Sequence, residues 1–446
     1  MISVFRSSGA ASAPREVDIT QRYLMIALLA AAHALVVPSL RASAPVPRAQ
    51  HCVASASDVK RVRFLFSDTG GGHRASALAL RDALEASYPG QVECDIVDLF
   101  VESGCFPFCE YPAIYKQLAD NPWSWKAVFD FGDSAFGIWF NELFTTLVCY
   151  TEFRRLLEKS PKPDLVVSVH PLLQATPIRA LAELDGGERT TPFATVVTDL
   201  GSASAQWFDK RVDKCYVPSD ALRTLAERRE LSDGQIVQYG LPIRRGFWKG
   251  SSGVGDGSSA DAIRAKLGLQ ESVPTVLVVG GGDGMGGLAA TAAAIGDDLG
   301  SNPGQSQLVV VCGRNAGAVD ELSQRQWPAN VNAEVLGFVN NMEEYMAATD
   351  LLVTKAGPGT IAEASAMGLP CVLSSFLPGQ EEGNVDFVRE GGFGDYREDP
   401  ADIARLVAQY LADGPGLERM SEAARKAGRP EATVEIAKDL AGLVGL

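Results

Sequence analysis

The chain has 446 residues, of which 46% are hydrophobic and 21% charged, so it is long enough for two domains that each bury a core. Its net charge of −15 argues against a general nucleic-acid-binding role, because phosphate backbones are bound by surplus positive charge. The close cysteine pair Cys105 and Cys109 has no histidine or second cysteine pair beside it, which argues against a zinc site. The other cysteines, such as Cys312 and Cys371, are scattered among apolar residues like buried thiols, which favours a reduced compartment.

Residues 1–57 have the composition of a targeting region. The fifteen-residue apolar run at 23–37 has the length of a signal-peptide core and is short for a membrane span. The tripeptide at 42–44, Ala-Ser-Ala, is a small-residue cleavage pattern, and residues 41–57 contain no acidic residue, as in transit peptides. This order predicts import into a plastid that lies behind an endomembrane, with a membrane anchor at 23–37 as the alternative.

The N-terminal domain, predicted at 58–248, begins with a strand, a glycine turn and a helix. Val62–Phe66 is predicted as the strand and Ala75–Leu84 as the helix, with Gly70–Gly72 and His73 between them. Such a turn directs backbone N–H groups to one spot, which makes an anion site, and His73 can accept a proton near neutral pH. The spacing fits neither the dinucleotide fingerprint nor the P-loop, so a tight turn with a surface histidine is the alternative.

A region rich in aromatic residues and prolines, from Phe100 to Phe144, follows the next strand, Val92–Val97. We predict a long loop whose rings belong partly to the core and partly to a surface that docks on lipid. The alternation then resumes, with strands predicted at Leu165–Val169, Phe193–Thr198, Lys214–Val217 and Ile236–Tyr239 and a helix at Ser219–Glu230.

A Gly/Ser-rich loop at 249–260 precedes the C-terminal domain, predicted at 261–430, and a last helix is predicted at 431–446. Glycine loops at 280–287 and 355–360 follow buried strands there. Because no Asp-x-Asp triplet occurs, these loops and the helix N-termini are expected to neutralise a bound diphosphate without a metal. Two series of alternating strands and helices predict an α/β protein with two parallel-sheet domains.

The helix after the second glycine loop, Ile361–Met367, contains Glu363. Its carboxylate is a candidate acceptor for the vicinal hydroxyls of a ribose, and an ordinary exposed glutamate is the alternative. The strands predicted in this half are Thr275–Val279, Leu308–Cys312, Asp350–Val353 and Cys371–Leu373.

Eight motifs in collinear order resemble those of the monogalactosyldiacylglycerol synthases, within glycosyltransferase family 28. They lie at Ser67–Ser76, Ser168–Pro171, Val197–Leu200, Tyr239–Pro242, Gly280–Gly286, Cys312–Asn315, Lys355–Ala364 and Gly379–Asn384. Glu382 and Asp283 depart from the residues common in plant members but keep the backbone and carboxylate features. The resemblance implies a GT-B fold, in which two Rossmann-like parallel-sheet domains face each other across a cleft, with the acceptor on the N-terminal domain and the nucleotide sugar on the C-terminal domain.

The resemblance further implies inverting transfer of galactose from UDP-galactose to the sn-3 hydroxyl of diacylglycerol, with His73 as the base. The implied donor contacts are uracil at the backbone near Phe338 and Val339, ribose at Glu363, phosphates at Gly357, Gly359 and Thr360, galactose at Gln380 and Glu381, and further contacts at Gly281, Gly282, Gly284, Met342, Pro358 and Asn384. The acceptor and membrane contacts are expected at Gly71, Gly72, Phe106, Pro107, Phe108 and Trp207, with Trp123 and Trp125 beside them.

No cofactor and no metal are expected, and nucleic acid is not an expected partner. The expected partners are a UDP-sugar and diacylglycerol in a membrane surface, with anionic lipid and a second copy of the chain as further candidates. The mature chain is expected to lie peripherally on a plastid envelope or thylakoid membrane. The alternatives are a family 28 transferase that uses UDP-glucose or UDP-N-acetylglucosamine with another lipid, and a binder without turnover, which intact His73 and Glu363 argue against. For His170, catalytic and structural roles both stay open.

Overall fold

The computed structural model describes residues 59–69, 71–119, 121–248, 259–281 and 287–446. The targeting region predicted at 1–57 lies outside the described residues, as do Gly282 and Gly284.

Six short parallel strands form the first sheet, in the order β2-β1-β3-β4-β5-β6. They are β1 (Lys60–Phe66), β2 (Val92–Asp98), β3 (Leu165–Ser168), β4 (Phe193–Val196), β5 (Lys214–Val217) and β6 (Ile236–Gln238). The inner strands β3 and β4 are buried throughout, as expected for a parallel sheet with helices on both faces.

The helices of this half include a region that the sequence predicted as a long loop. They are α1 (Gly72–Ser87), α2 (Leu99–Ser103), α3 (Tyr111–Ala119), α4 (Pro122–Asp133), α5 (Ala135–Glu158), α6 (Ala175–Leu184) and α7 (Asp220–Arg228). The loop prediction for Phe100–Phe144 is therefore wrong. Side chains cap the N-termini of α4 and α5, since Asn121 accepts from the N–H of Ser124 and Ser134 accepts from that of Gly137.

The second sheet repeats the plan, with six parallel strands in the order β12-β11-β10-β7-β8-β9. Its strands are β7 (Thr275–Val279), β8 (Ser306–Val311), β9 (Val331–Leu336), β10 (Leu351–Thr354), β11 (Cys371–Leu373) and β12 (Gly394–Tyr396). Its helices are α8 (Ala260–Leu267), α9 (Leu288–Ser301), α10 (Ala316–Ser323), α11 (Met342–Ala347), α12 (Pro358–Met367), α13 (Glu382–Glu390), α14 (Pro400–Ala412), α15 (Gly414–Ala427) and α16 (Ala432–Gly442). The two sheets confirm the predicted α/β class.

Each sheet has one point where the strand order reverses, between β1 and β3 in the first and between β7 and β10 in the second. In open α/β sheets, ligands bind outside the carboxyl ends of the strands at such a point. At this point the glycine turn before His73 follows β1, and His170 follows β3. At the corresponding point of the second sheet, Gly281 follows β7 and the loop that begins at Lys355 follows β10.

The last helix, α16, returns to the first sheet. Ile436 and Leu440 are buried in the same core as Val62 and Tyr216, and the hydroxyl of Tyr216 donates to Asp439 at 2.9 Å. The C-terminal end of the chain thus packs on the N-terminal half. No helix among the described residues combines the length and the apolar character that crossing a bilayer requires.

Candidate active site

His73 lies in the first turn of α1, at the carboxyl edge of the first sheet. The turn before it places Gly71 at a φ of 76°, a left-handed conformation that glycine adopts without strain, and no side chain caps the helix. The first N–H groups of α1 are therefore open to a ligand. His73 is 7% exposed, and its Nδ1 lies 2.8 Å from the hydroxyl of Thr198, so the surface-histidine alternative is wrong.

Burial keeps both active-site histidines neutral. It lowers the pKa of His73 to about 4, although a hydrogen bond to the carbonyl of Val169 raises it. His170 packs edge-on against His73, with ring centres 4.8 Å apart, and burial followed by the neighbouring His73 holds the pKa of His170 well below its usual value. Because Nδ1 of His170 accepts the N–H of Leu172, its proton sits on Nε2 and faces the hydroxyl of Thr69. His170 thus supports the ring of His73.

Trp207, expected near the acceptor entrance, is fully buried and is therefore not part of an exposed membrane surface. Its indole N–H donates to Asp199 at 2.7 Å, and its ring centre lies 5.9 Å from that of His73. The pKa of Asp199 is raised to about 6, mainly by burial, and the hydrogen bonds from Trp207 and Gln380 oppose part of this rise. Asp199 was not among the expected site residues, although its position directly after a buried strand was a usable signal.

Two loops from opposite halves meet beside Asp199. The N–H of Gly201 donates to Asn384 at 2.7 Å, and the hydroxyl of Ser202 donates to the carbonyl of Gln380 at 2.8 Å. The backbones are so close that a Cβ on Gly201 would lie 1.9 Å from the carbonyl oxygen of Gly383. The loop at 379–384, which carries the predicted galactose contacts and is named the sugar loop, is therefore in direct backbone contact with the first half.

The predicted sugar-binding residues differ in how many of their polar side-chain atoms already have hydrogen-bond partners in the protein. Glu381 is buried, with one carboxylate oxygen bonded to Lys355 at 2.7 Å and the other to the N–H of Leu377 at 2.9 Å. Asn384 is also buried and bridges Gly201 and the carbonyl of Ala356, so both residues hold the loop in place. Oε1 of Gln380 is buried and has no hydrogen-bond partner within the described parts of the chain.

Glu363 is a buried residue on α12, so the exposed-glutamate alternative is wrong. Both of its carboxylate oxygens accept hydrogen bonds from the guanidinium of Arg244, at 2.6 and 2.7 Å. Arg244 belongs to the segment after β6 and was not among the predicted site residues. Such a bidentate charged pair fixes the direction of the carboxylate.

The predicted phosphate contacts lie at the N-terminus of α12, one turn before Glu363. Gly357 precedes the helix, Pro358 occupies its first turn, and no side chain caps it. The N–H groups of Gly359 and Thr360 at the start of the helix therefore have no hydrogen bond from a cap. The side chain of Lys355 passes beside Gly357, because a Cβ there would lie 3.5 Å from Cε of the lysine. A cation and a helix N-terminus together favour a bound phosphate.

An exposed aromatic ring marks the predicted uracil site. Phe338 follows β9, is 57% exposed, and has the guanidinium of Arg314 at 5.6 Å from its ring centre. Val339 is half-buried, and Met342 is buried at the start of α11.

Among the described residues, no three histidine, cysteine, aspartate or glutamate side chains are grouped as metal ligands.

The expected membrane contacts separate into buried and exposed residues. Phe108 is buried against Phe100, with ring centres 5.1 Å apart, so its expected role in docking is wrong. Phe106 is exposed and Pro107 beside it is half-buried. The exposed large apolar residues from α2 to α5, which we name the aromatic surface, are Val101, Phe106, Trp123, Val128, Phe131, Phe136, Trp139, Leu143 and Leu147.

The inner side of the same helices touches the sugar loop. Trp125 is buried in one cluster with Leu377, and a Cβ on Gly379 would lie 2.7 Å from the ring of Phe129. Helix α4 therefore presents the exposed Trp123 outward and Trp125 toward the loop that carries Gln380.

The two parallel sheets, each with a glycine turn at its switch point, define the GT-B fold. Similar solved structures include Acinetobacter baumannii MurG, with a TM-score of 0.55 and 16% identity over 86% of this chain and 99% of that chain. The glycosyltransferase SnogD from Streptomyces nogalater has a TM-score of 0.53 and 17% identity over 87% of this chain and 100% of that one. At these identities the likeness shows the fold alone.

Sequence similarity narrows the class to one family. The family model described as monogalactosyldiacylglycerol (MGDG) synthase matches residues 73–243, and that of the glycosyltransferase family 28 C-terminal domain matches residues 275–440. The chain is 40% identical over 390 residues to the chloroplastic monogalactosyldiacylglycerol synthase of Spinacia oleracea, covering 86% of this chain and 73% of the relative. It is 38% identical over 391 residues to monogalactosyldiacylglycerol synthase 1 of Arabidopsis thaliana, covering 86% and 71%. The chain belongs to the monogalactosyldiacylglycerol synthase family, which confirms the family predicted from the eight motifs.

Proposed function

We propose that the chain is an inverting galactosyltransferase that moves galactose from UDP-galactose to the sn-3 hydroxyl of 1,2-diacylglycerol. The observation that carries this proposal is the contact of His73 with Thr198 and of Gln380 with the next residue, Asp199. A base on one domain and a sugar-binding loop on the other thereby face the same point of the cleft. The printed names of the relatives supply the identity of sugar and lipid.

The C-terminal domain holds the donor. The exposed ring of Phe338 provides the face for uracil, and the N-terminus of α12 with Lys355 neutralises the diphosphate. Glu363 accepts the ribose hydroxyls, because a carboxylate has about four lone-pair sites and Arg244 occupies two of them. The positive charge for the leaving group comes from the protein itself, so no metal is required.

Transfer is a single displacement at C1 of galactose. The sn-3 hydroxyl attacks C1 from the face opposite the diphosphate while neutral His73 takes its proton. The C1–oxygen bond to UDP breaks, UDP leaves with the bonding electrons, and the β-linked product forms. Lys355 and the N–H groups of α12 stabilise the charge that develops on the leaving oxygen.

The acceptor is reached from a plastid membrane surface. The aromatic surface on α2 to α5 provides the docking face, since its Phe rings are apolar and its Trp rings add an indole N–H that suits the headgroup level. Its inner neighbours Trp125 and Phe129 bring the sugar loop close to the docked lipid. Anionic lipid is a further partner, tested by adding it to neutral liposomes, and a homodimer is tested by light scattering. The chloroplastic names of the relatives support the plastid location.

The test is an assay of labelled UDP-galactose, UDP-glucose and UDP-N-acetylglucosamine with diacylglycerol in mixed micelles. The wild-type chain is expected to use UDP-galactose, and His73→Ala is expected to lose about 10²–10⁴-fold in kcat while its calorimetric affinity for UDP stays unchanged. Preference for another sugar nucleotide would overturn the choice of galactose. Near-normal turnover of the variant would overturn the choice of base.

A further inference from the structure

Asp199 connects the acceptor half to the sugar loop and has no part in the reaction described above. It is 4% exposed, and its Oδ2 accepts the indole N–H of the fully buried Trp207 at 2.7 Å. That bond fixes the direction of the carboxylate. The second oxygen, Oδ1, then faces Nε2 of Gln380 across the cleft at 3.3 Å.

This contact determines which way the amide of Gln380 turns. An ionised carboxylate only accepts hydrogen bonds, so Gln380 must present its NH₂ group to Asp199. The carbonyl oxygen Oε1 of the amide is then directed away from Asp199. That oxygen is buried, and within the described residues it has no hydrogen-bond partner.

A buried acceptor without a donor is unfavourable, so the position is prepared for a ligand that brings a hydroxyl group. The donor sugar is the ligand expected in this part of the cleft. Thr198, which bonds His73, directly precedes Asp199 in the chain. One dipeptide therefore contacts both the base and the amide that meets the sugar.

We propose that Asp199 is a positioning residue that orients the amide of Gln380, so that Oε1 accepts a hydrogen bond from a hydroxyl of the donor sugar. This inference rests on the proposed function, in which Gln380 meets the transferred sugar. Through Asp199 the acceptor domain sets the orientation of the sugar relative to His73.

The first test is Asp199→Asn in the full chain. The variant keeps the shape of the side chain but can also donate a hydrogen bond, so the amide of Gln380 loses its preferred orientation. The KM for UDP-galactose is expected to rise up to about tenfold, the loss of one neutral hydrogen bond between the amide and the sugar, whereas the calorimetric Kd for UDP stays unchanged. A merely structural role would weaken both, and an unchanged KM would overturn the proposal.

The second test is a reciprocal exchange. Gln380→Glu places a second carboxylate against Asp199 and should raise the KM for UDP-galactose, while an oxygen still faces the sugar. Adding Asp199→Asn restores a donor at the contact, so the double variant should have a lower KM than Gln380→Glu alone. A double variant whose KM equals the product of the two single effects would overturn the proposal.

The two tests separate this inference from the proposed function. Should Asp199→Asn fail to fold, Gln380→Glu still tests the contact, because a KM equal to that of the wild type would overturn the proposal. If the wild-type chain transfers a different sugar, the proposed function fails, and the same comparison on that sugar nucleotide tests Asp199.

Discussion

The backbone contact between Gly201 and Gly383 predicts a large effect from a single methyl group. In Gly201→Ala the new Cβ would start 1.9 Å from the carbonyl oxygen of Gly383. Carbon and oxygen approach each other to about 3.3 Å, so the two loops must separate by roughly 1.4 Å. Three hydrogen bonds cross this contact: Gly201 to Asn384 at 2.7 Å, Ser202 to Gln380 at 2.8 Å and Gly383 to Ser202 at 3.0 Å.

A separation of that size breaks all three bonds. At about 0.5–1.5 kcal/mol for each bond, the contact between the two halves loses roughly 1.5–4.5 kcal/mol. A misplacement of about 1 Å at a reacting centre costs about 10²-fold in rate. Gly201→Ala is therefore expected to lower kcat about 100-fold and to leave the affinity for UDP unchanged, because the nucleotide contacts lie on the second sheet and its loops.

The assay is galactosyl transfer in mixed micelles, with a parallel calorimetric titration of UDP. Gly234→Ala is the matched control, since Gly234 is exposed and a Cβ there meets no atom within 4 Å. Both variants add one methyl group to the first domain. Wild-type turnover of Gly201→Ala would show that catalysis does not need the two loops in contact.

Three other predictions concern the donor, the membrane and pH. Glu363→Ala should weaken UDP binding by about 1.5–3 kcal/mol, and an unchanged calorimetric Kd would remove Glu363 from the ribose site. Phe136→Ser combined with Trp139→Ser should reduce liposome flotation and activity while UDP affinity stays constant, and unaltered flotation would place the docking face elsewhere. Because the pKa of His73 is lowered to about 4 and that of Asp199 raised to about 6, kcat/KM should fall as the pH drops below about 6, where Asp199 gains a proton and His73 is still neutral. That acid limb should vanish in Asp199→Asn, and its persistence there would assign it to another group.

The strands could be predicted from the sequence because burial on both faces selects short runs of apolar residues. Thr275–Val279 and Lys214–Val217 were predicted with the bounds that the structure has. The helices α4 and α5 were missed because aromatic residues lie on both their exposed and their buried sides, so no single apolar face shows in the sequence. Phe136 on the outside and Phe153 in the core belong to the same helix.

The site was predictable where one short motif supplies it and not where distant residues pair. His73 was identifiable from its own glycine turn. Arg244 and Glu363 are 119 positions apart, and Asp199 and Gln380 are 181 apart, so their contacts depend on how the two halves meet. A pattern within one segment carries no information about such pairing.

Transfer of galactose with inversion onto diacylglycerol is the activity on which the other expectations depend. The most direct measurement is the proton NMR spectrum of the lipid formed from UDP-galactose and 1,2-diacylglycerol by the purified wild-type chain. We expect a galactolipid with a β-linkage to the sn-3 oxygen and an equal amount of free UDP. An α-linked product would rule out inverting transfer, and no galactolipid from a folded chain that binds UDP would rule out galactosyl transfer to diacylglycerol.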